Sequence, residues 1–448
     1  MILTARYVLP VSSAWIEDGA VLVHGDKIEE VDTREALVAR YPDEELRDFG
    51  LATIAPGFVD AHTHLEYTVL RGLIDDLPYA RWKHAIMRRE PLLAAPDWDD
   101  SALLGGLEAL ASGITTIADS SRTGASLRAA AALGLRGLIY REVETMEKAL
   151  VGQVMESALA DIEAWEADAD PNLLAIGISP HSPYSCHPEL FQRVAEYAAD
   201  GRAVTLHLAG SREERQFIKY GSSLLGFDVR EEYDRQAPLW LPTGVSPVRY
   251  VLQWDLFKVP NISAVHCTQV DKDDIDILAR YKVGVAHCPR CNAKLGMGVM
   301  PLQDLLDAGI SVGLGTDSAA ATNTIGMFEE MRTGLLMQRA VARDRHFFAA
   351  ADFLRFATLG SAEVLGIDGE VGSLEPGKKA DVVVVDMSRS HQVPTVQPES
   401  AFVHTAARAN VMLTMVGGRV LYENGSWKSA DEKRVYARNE EIRAKLRV

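Results

Sequence analysis

FVDAHTH, residues 58–64, is a short strand-forming run that ends on two histidines one residue apart. Runs of the same kind recur as ITTIADS (114–120), LRGLIYREV (135–143), LLAIGISPH (173–181), AVTLHL (203–208), ISAVHC (262–267), VGVAHC (283–288) and ISVGLGTDS (310–318). Between them lie segments such as SALLGGLEALASG, PELFQRVAEYAADG and DDIDILARYK, apolar at helical spacing and several closed by glycine. Eight strand–helix repeats are the count of a (β/α)8 TIM barrel, an α/β fold, and residues 55–367 are assigned to it.

Both ends of the chain read differently. Residues 2–31 alternate as short strands, with Gly25-Asp26 placed to turn a hairpin, and strands return at VGSLEPGKKADVVVVD and VMLTMVGGRVLYENG. The simplest reading joins 1–54 and 368–428 into one small composite β-sandwich domain beside the barrel. Residues 429–448 are charged and helical. The stretch 211–250 is long for a barrel loop and is expected to cover the active face.

Composition narrows the function. The chain has 448 residues, 47% hydrophobic, with a net charge of −17. A surface this acidic argues against nucleic acid or an anionic membrane as partner and favours a small molecule. The start, MILTARYVLPVSSAWIEDG, lacks the basic and apolar parts of a secretion signal, and no apolar run is long enough to span a bilayer. Cys186, Cys267, Cys288 and Cys291 are too few for a disulfide framework, so a cytoplasmic location is expected. A homo-oligomer is open, since symmetric assemblies of such proteins are common.

Barrel enzymes build their sites at the carboxyl ends of strands, and there stand His62, His64, His181, His207, His266, His287 and Asp317. His62-Thr63-His64 alone is a weak motif in a chain with 12 histidines. On a strand, however, the period of two turns both rings to one face. With His207 and Asp317 they make three neutral nitrogens and a carboxylate, a set suited to one divalent metal ion, Zn²⁺ first, with Fe or Mn as alternatives. The opposing reading is hydrogen-bonded polar residues at strand ends, which accounts for one or two of them. His266 can bind the metal, or hold its water and the substrate, or be structural. His181 is read as a substrate contact and His187, before a proline, as a helix start.

Two motifs are set aside. Gly372–Lys378 matches most of a phosphate loop, but Lys379 follows where Ser or Thr is needed, and a strand follows instead of a helix. Cys288-Pro-Arg-Cys291 has no second pair at zinc-ribbon spacing and reads as two buried or loop thiols.

PGFVDAHTHLEYTVLRG, SPHSPYS, LHLAGSREE, VHCTQV, AHCPRCNAKLG, GLGTDS and GSLEPGKKADVVVVD, in this order, resemble the amidohydrolase superfamily, in its branch that processes cytosine, adenosine analogues and triazines. The resemblance implies a metal held by His62, His64, His207 and Asp317, His266 near the hydrolytic water, and Asp317 moving protons to the leaving group. It implies a small aromatic nitrogen heterocycle as substrate, adenosine-like, with ammonia released. A weaker likeness to deaminases of modified adenosines, including aminodeoxyfutalosine deaminase, implies Glu66 and Arg141 as substrate contacts; a structural salt bridge is the other reading of Arg141.

One position departs from the pattern. Family members usually carry Glu three residues after the fifth-strand histidine, and Gly210 stands there. Either Glu213 or Glu214 swings in, or Glu66 serves, or the chain turns its ligand over poorly or not at all. The alternatives to a deaminase are therefore displacement of chloride or alkylamine from a triazine-like ring, and a weakly active or inactive ligand-binding paralogue.

Overall fold

The computed structural model describes residues 1–225, 241–342 and 346–446. Eight parallel strands form the barrel wall: β6 (Phe58–Thr63), β7 (Ile114–Ser121), β8 (Arg136–Val143), β9 (Leu174–Pro180), β10 (Val204–Leu208), β11 (Ile262–His266), β12 (Gly284–His287) and β13 (Val312–Leu314). They pair in sequence order from β6 to β13. Each matches one of the eight runs. The last is the shortest, because the chain leaves the ladder at Gly315.

The wall closes where β13 meets β6. Thr63 bridges Asp317 in parallel, and the Asp317 amide donates to the His62 carbonyl at 2.9 Å. Gly315 makes this approach possible: a Cβ there would stand 2.8 Å from the His62 carbonyl oxygen, closer than non-bonded atoms tolerate. Helices on the outside bury the other face of the strands, and one continuous core runs from Phe58 through Phe191 and Phe257 to Phe353.

The chain ends form a second sheet of nine strands. β1 (Ile2–Val8), β2 (Ile16–His24), β3 (Lys27–Thr33), β4 (Leu46–Asp48) and β5 (Ala52–Pro56) come from the start, and β14 (Val382–Asp386), β15 (Val411–Val416), β16 (Arg419–Glu423) and β17 (Ser426–Trp427) from the end. The order is β17-β16-β15-β14-β5-β1-β2-β3, with β4 beside β1, so β5 and β14 are the seam between the two ends. Gly25, at φ 60°, turns the β2–β3 hairpin. Val21 and Val23 share one apolar cluster with Leu413 and Met415, although four pairings separate β2 from β15. The sheet therefore curls onto its own core, as a sandwich does.

Barrel and sheet are tied by a buried ion pair. Arg136, at the start of β8, gives Asp381 two bonds of 2.8 and 3.2 Å, and the Asp381 carboxylate also accepts from the Gly417 amide at 2.7 Å. A helix, Glu432–Lys445, follows the sheet, and its Arg438 and Lys445 hold Asp97 against the barrel. Residues 372–378 lead into β14 rather than into a helix. Of the expected cover at 211–250, residues 226–240 lie outside the described residues, and the rest includes the helices Arg212–Tyr220 and Pro247–Leu252. Among the described residues no helix is long and apolar enough to cross a membrane.

Candidate metal centre

Three imidazoles meet at the mouth of the barrel. One ring nitrogen each from His62, His64 and His207 lies within 4.8 Å of the other two. Their outer hydrogen bonds fix the tautomers: His64 Nδ1 faces the Ser120 carbonyl and His207 Nδ1 the His181 carbonyl, both at 2.9 Å. A carbonyl only accepts, so each Nδ1 carries the proton and each Nε2 presents a lone pair. Those two Nε2 atoms face each other at 3.4 Å, and the buried Nε2 of His62 has no hydrogen-bond partner among the described residues. Lone pairs so arranged repel unless a cation lies between them, and outer bonds that set the tautomer are those of metal-binding histidines. The residues fit a divalent ion.

Asp317 reaches this cluster from the other side of the closure. Its Oδ1 accepts from the Ser318 amide at 2.6 Å, and its Oδ2 stands 3.8 Å from His266 Nε2. His266 is oriented by Asn292, whose Oδ1 is 3.0 Å from Nδ1. His266 and Asp317 have φ of 74° and 56°, a left-handed backbone that costs a non-glycine residue about 1–3 kcal/mol. Strain of this kind collects at functional sites. Burial, reinforced by neighbouring rings, holds His62 and His207 well below the ordinary imidazole range. Burial alone would raise Asp317, but its polar neighbours, His266 first, bring it below the ordinary carboxylate value. Neutral imidazoles and an ionised carboxylate are the protonation states a cation requires.

The cavity in front of these groups measures about 530 Å³ including its open mouth. His181 lines it, with Nδ1 2.6 Å from Ser185 Oγ. Its Nε2 is 3.3 Å from the Lys83 ammonium, which can only donate, so the proton sits on Nδ1. Four further lining residues, Tyr79, Trp82, Lys83 and Ile86, come from one helix, Tyr79–Met87. Tyr79 OH meets Tyr184 OH at 2.6 Å, and Trp82 Nε1 donates to the Ala320 carbonyl at 3.3 Å, so the helix is pinned across the mouth. Burial would lower Lys83, but Tyr184, Glu144, Glu90 and Glu142 around it prevail and hold it at about 12. It is cationic at neutral pH.

Glu66 and Arg141, expected as substrate contacts, meet a different geometry, and Arg141 takes the salt bridge that is its other reading. Glu66 does not face the cavity: after His64 the chain enters a 3₁₀ turn, Leu65–Leu70, which breaks the strand period and turns the carboxylate to the loop after β7. There it accepts from Ser121 Oγ, the Arg122 amide and Thr123 Oγ1 at 2.7–2.8 Å. Arg141 points outward, where its Nε pairs with Asp161 at 2.8 Å, because its neighbours Tyr140 and Glu142 take the inward positions of β8. Neither Glu213 nor Glu214 lines the cavity. Glu214 is buried and its two oxygens take the amides of Ala209 and Gly210, at 2.9 and 2.8 Å. His187 caps the helix Pro188–Tyr197 by accepting from the Glu189 amide. Cys291 lines the cavity and Cys288 begins a short helix, and burial pushes both thiols well above their ordinary range.

Sequence reasoning missed Lys83 and Glu142. In YARWKHAIM the face Tyr79, Lys83, Ile86 is apolar but for one lysine, and a charge in the middle of an apolar stripe is the signal that could have found it. Glu142 follows Leu138 and Tyr140 at the period of two, which places it inside the barrel.

The family model described as "Amidohydrolase family" matches residues 53–421, most of the chain. The chain belongs to this family. A second model, an imidazolonepropionase-like composite domain of bacteria, matches residues 19–43. This amidohydrolase is 34% identical over 441 residues to a 5-methylthioadenosine/S-adenosylhomocysteine deaminase of Moorella thermoacetica, covering 96% of each chain. It is 33% identical to a protein of the same description from Pelotomaculum thermopropionicum, covering 94% and 92%. Among solved structures it resembles a zinc-bound adenosine deaminase from Xanthomonas campestris, with a TM-score of 0.86, 28% identity and coverage of 100% and 98%. The amidohydrolase described here is a hydrolase acting on carbon–nitrogen bonds.

Proposed function

We propose that this amidohydrolase is a divalent-metal-dependent deaminase of an adenosine-like nucleoside, with zinc as the ion and His62, His64, His207 and Asp317 as its ligands. The observation that carries the reading is the pair of lone pairs at 3.4 Å on His64 and His207, beside the unpaired Nε2 of His62. The deaminases of Moorella thermoacetica and Xanthomonas campestris support the reaction and the adenosine-like class.

A divalent ion in such a set acidifies water and supplies hydroxide near pH 7 for addition to an electrophilic ring carbon. The chain's own groups do the rest. Asp317, ionised and 3.8 Å from His266, takes a proton from the nucleophile and returns it to the departing amine, which cannot leave as an anion. His266, with Nδ1 held by Asn292, keeps its Nε2 toward Asp317 and the attacking oxygen. His181, fixed by Ser185 and Lys83, meets the heterocycle. The Tyr79–Met87 helix limits water at the mouth.

Ammonia release is to be measured from adenosine, 5′-methylthioadenosine and S-adenosylhomocysteine with protein of known metal content, and chloride release from a chlorotriazine in parallel. Ammonia from the nucleosides supports the proposal. A second reading is favoured by Gly210: chloride, unlike an amine, leaves without a proton, so release of chloride alone points to triazine-like rings. A metal-loaded chain that binds the heterocycles and releases neither product is a ligand-binding paralogue.

A further inference from the structure

Two walls of the cavity differ in a way that bears on the missing carboxyl. On the β10 side, the space beside Gly210 is filled. A Cβ built there would stand 3.1 Å from both His266 Cδ2 and the Met297 methyl group. A glutamate at this position must push Met297 aside, and Glu214, the nearby carboxyl, is already spent on the Ala209 and Gly210 amides. Among the described residues, no carboxyl lines the cavity from this side.

On the β8 side one does. Glu142 is 6% exposed and lines the cavity, and its Oε2 has no hydrogen-bond partner among the described residues. The charges near it are already engaged: Arg122 pairs with Glu90 at 3.0 Å and with Glu144 at 2.7 Å, and Lys83 is directed at His181. A carboxyl oxygen of Glu142 lies within 4.8 Å of one ring nitrogen each of His181 and His207. The Glu142 carboxyl therefore sits beside the candidate ligands. A buried carboxyl without a partner is costly, by an amount comparable to the ligand hydrogen bond it lacks. Such a group, aimed into a cavity, marks a ligand contact.

We propose that Glu142 engages the substrate ring in this chain, hydrogen-bonding a ring nitrogen next to the carbon under attack, from the third barrel strand instead of the fifth. The heterocycle then lies with that nitrogen turned toward β8, and the Lys83 ammonium, on the same wall across His181, meets an acceptor on the neighbouring edge. The substrates that fit carry a basic ring nitrogen and a second acceptor on one edge, as aminopurines do. This inference rests on the deaminase reading above.

The test uses the metal-loaded full chain with Glu142→Gln, Glu142→Asp and Gly210→Glu, each checked for metal content and thermal midpoint, with ammonia release from 5′-methylthioadenosine and adenosine as readout. Glu142→Gln keeps the side-chain volume and removes the transferable proton. The expected result is a fall in kcat of about 100-fold or more with metal content and KM little changed, partial recovery in Glu142→Asp, and little gain from Gly210→Glu. Gly210→Glu raising kcat by about 100-fold shows that the role stood vacant and overturns the inference. So does wild-type activity in Glu142→Gln, which leaves the deaminase reading standing. Absence of ammonia release from wild type with either nucleoside defeats the deaminase reading and this inference together.

Discussion

Replacing Glu214 by alanine separates a backbone-holding role from a chemical one. The carboxylate accepts from two consecutive buried amides, Ala209 and Gly210, two and three residues after His207. Losing both acceptors leaves two unpaired N–H groups at about 1–3 kcal/mol each, so about 2–6 kcal/mol in total. Part of this is returned, because burial raises the Glu214 pKa from 4.5 to about 7 despite the amides from Gly210 and Ala209. The folded state then holds the proton more tightly than the unfolded chain. The wild type is favoured below pH 4.5, and loses about 3 kcal/mol of that advantage as pH climbs to about 7. Urea denaturation of metal-loaded wild type and Glu214→Ala at pH 5.5 and pH 8 should show the larger deficit at pH 5.5. Because Glu214 does not line the cavity, kcat at full metal occupancy should fall far less than the roughly 100-fold of a lost general acid. A deficit that grows with pH, or a kcat loss of that size, refutes the assignment and returns Glu214 to the chemistry.

Dialysis against a chelator should lower the thermal midpoint and restore it on Zn²⁺ addition, by about 4 kcal/mol of stability when free metal is about 1,000 times its Kd. His64→Asn should abolish that response in calorimetry and metal analysis. Arg136→Met strands Asp381, which is 2% exposed at the side chain, and should cost about 3–5 kcal/mol in urea. An unchanged midpoint removes the ion pair from the barrel–sheet interface. Glu66→Ala should destabilise by about 1–3 kcal/mol for each donor left unpaired, and Arg141→Ala, whose partner Asp161 is 42% exposed, by about 0–1 kcal/mol. Both should leave KM for the nucleoside unchanged, and a raised KM puts that side chain back at the substrate.

The architecture was legible because strand period and strand-end chemistry coincide. Runs such as ITTIADS and AVTLHL carry their strands to within a residue of the ladder, and His207 stands where the carboxyl end of β10 must lie. The run 310–318 overreached, since Gly315 and the left-handed Asp317 turn the chain into the closure, a tertiary demand without a local pattern. Glu66 misled for a related reason: HTHLE continues the alternation on paper while the backbone has already coiled. Glu142 carries no motif of its own beside Arg141; the parity of β8, on which Tyr140 turns inward toward Ser263, brings it to the cavity and leaves Arg141 outside. Lys83 was hidden because its helix lies some twenty residues after the His62–His64 pair and folds back over it.

The closure of the wall at Gly315 also governs when the site comes into existence. During synthesis the emerging chain offers only the His62–His64 pair, and His207 follows about 140 residues later. The carboxylate arrives with Asp317, beside His62, after most of the polypeptide has left the ribosome. On the proposed ligand set, metal capture would mark completed assembly, and a truncated product that lacks the eighth strand would lack Asp317 and the seam that closes the wall.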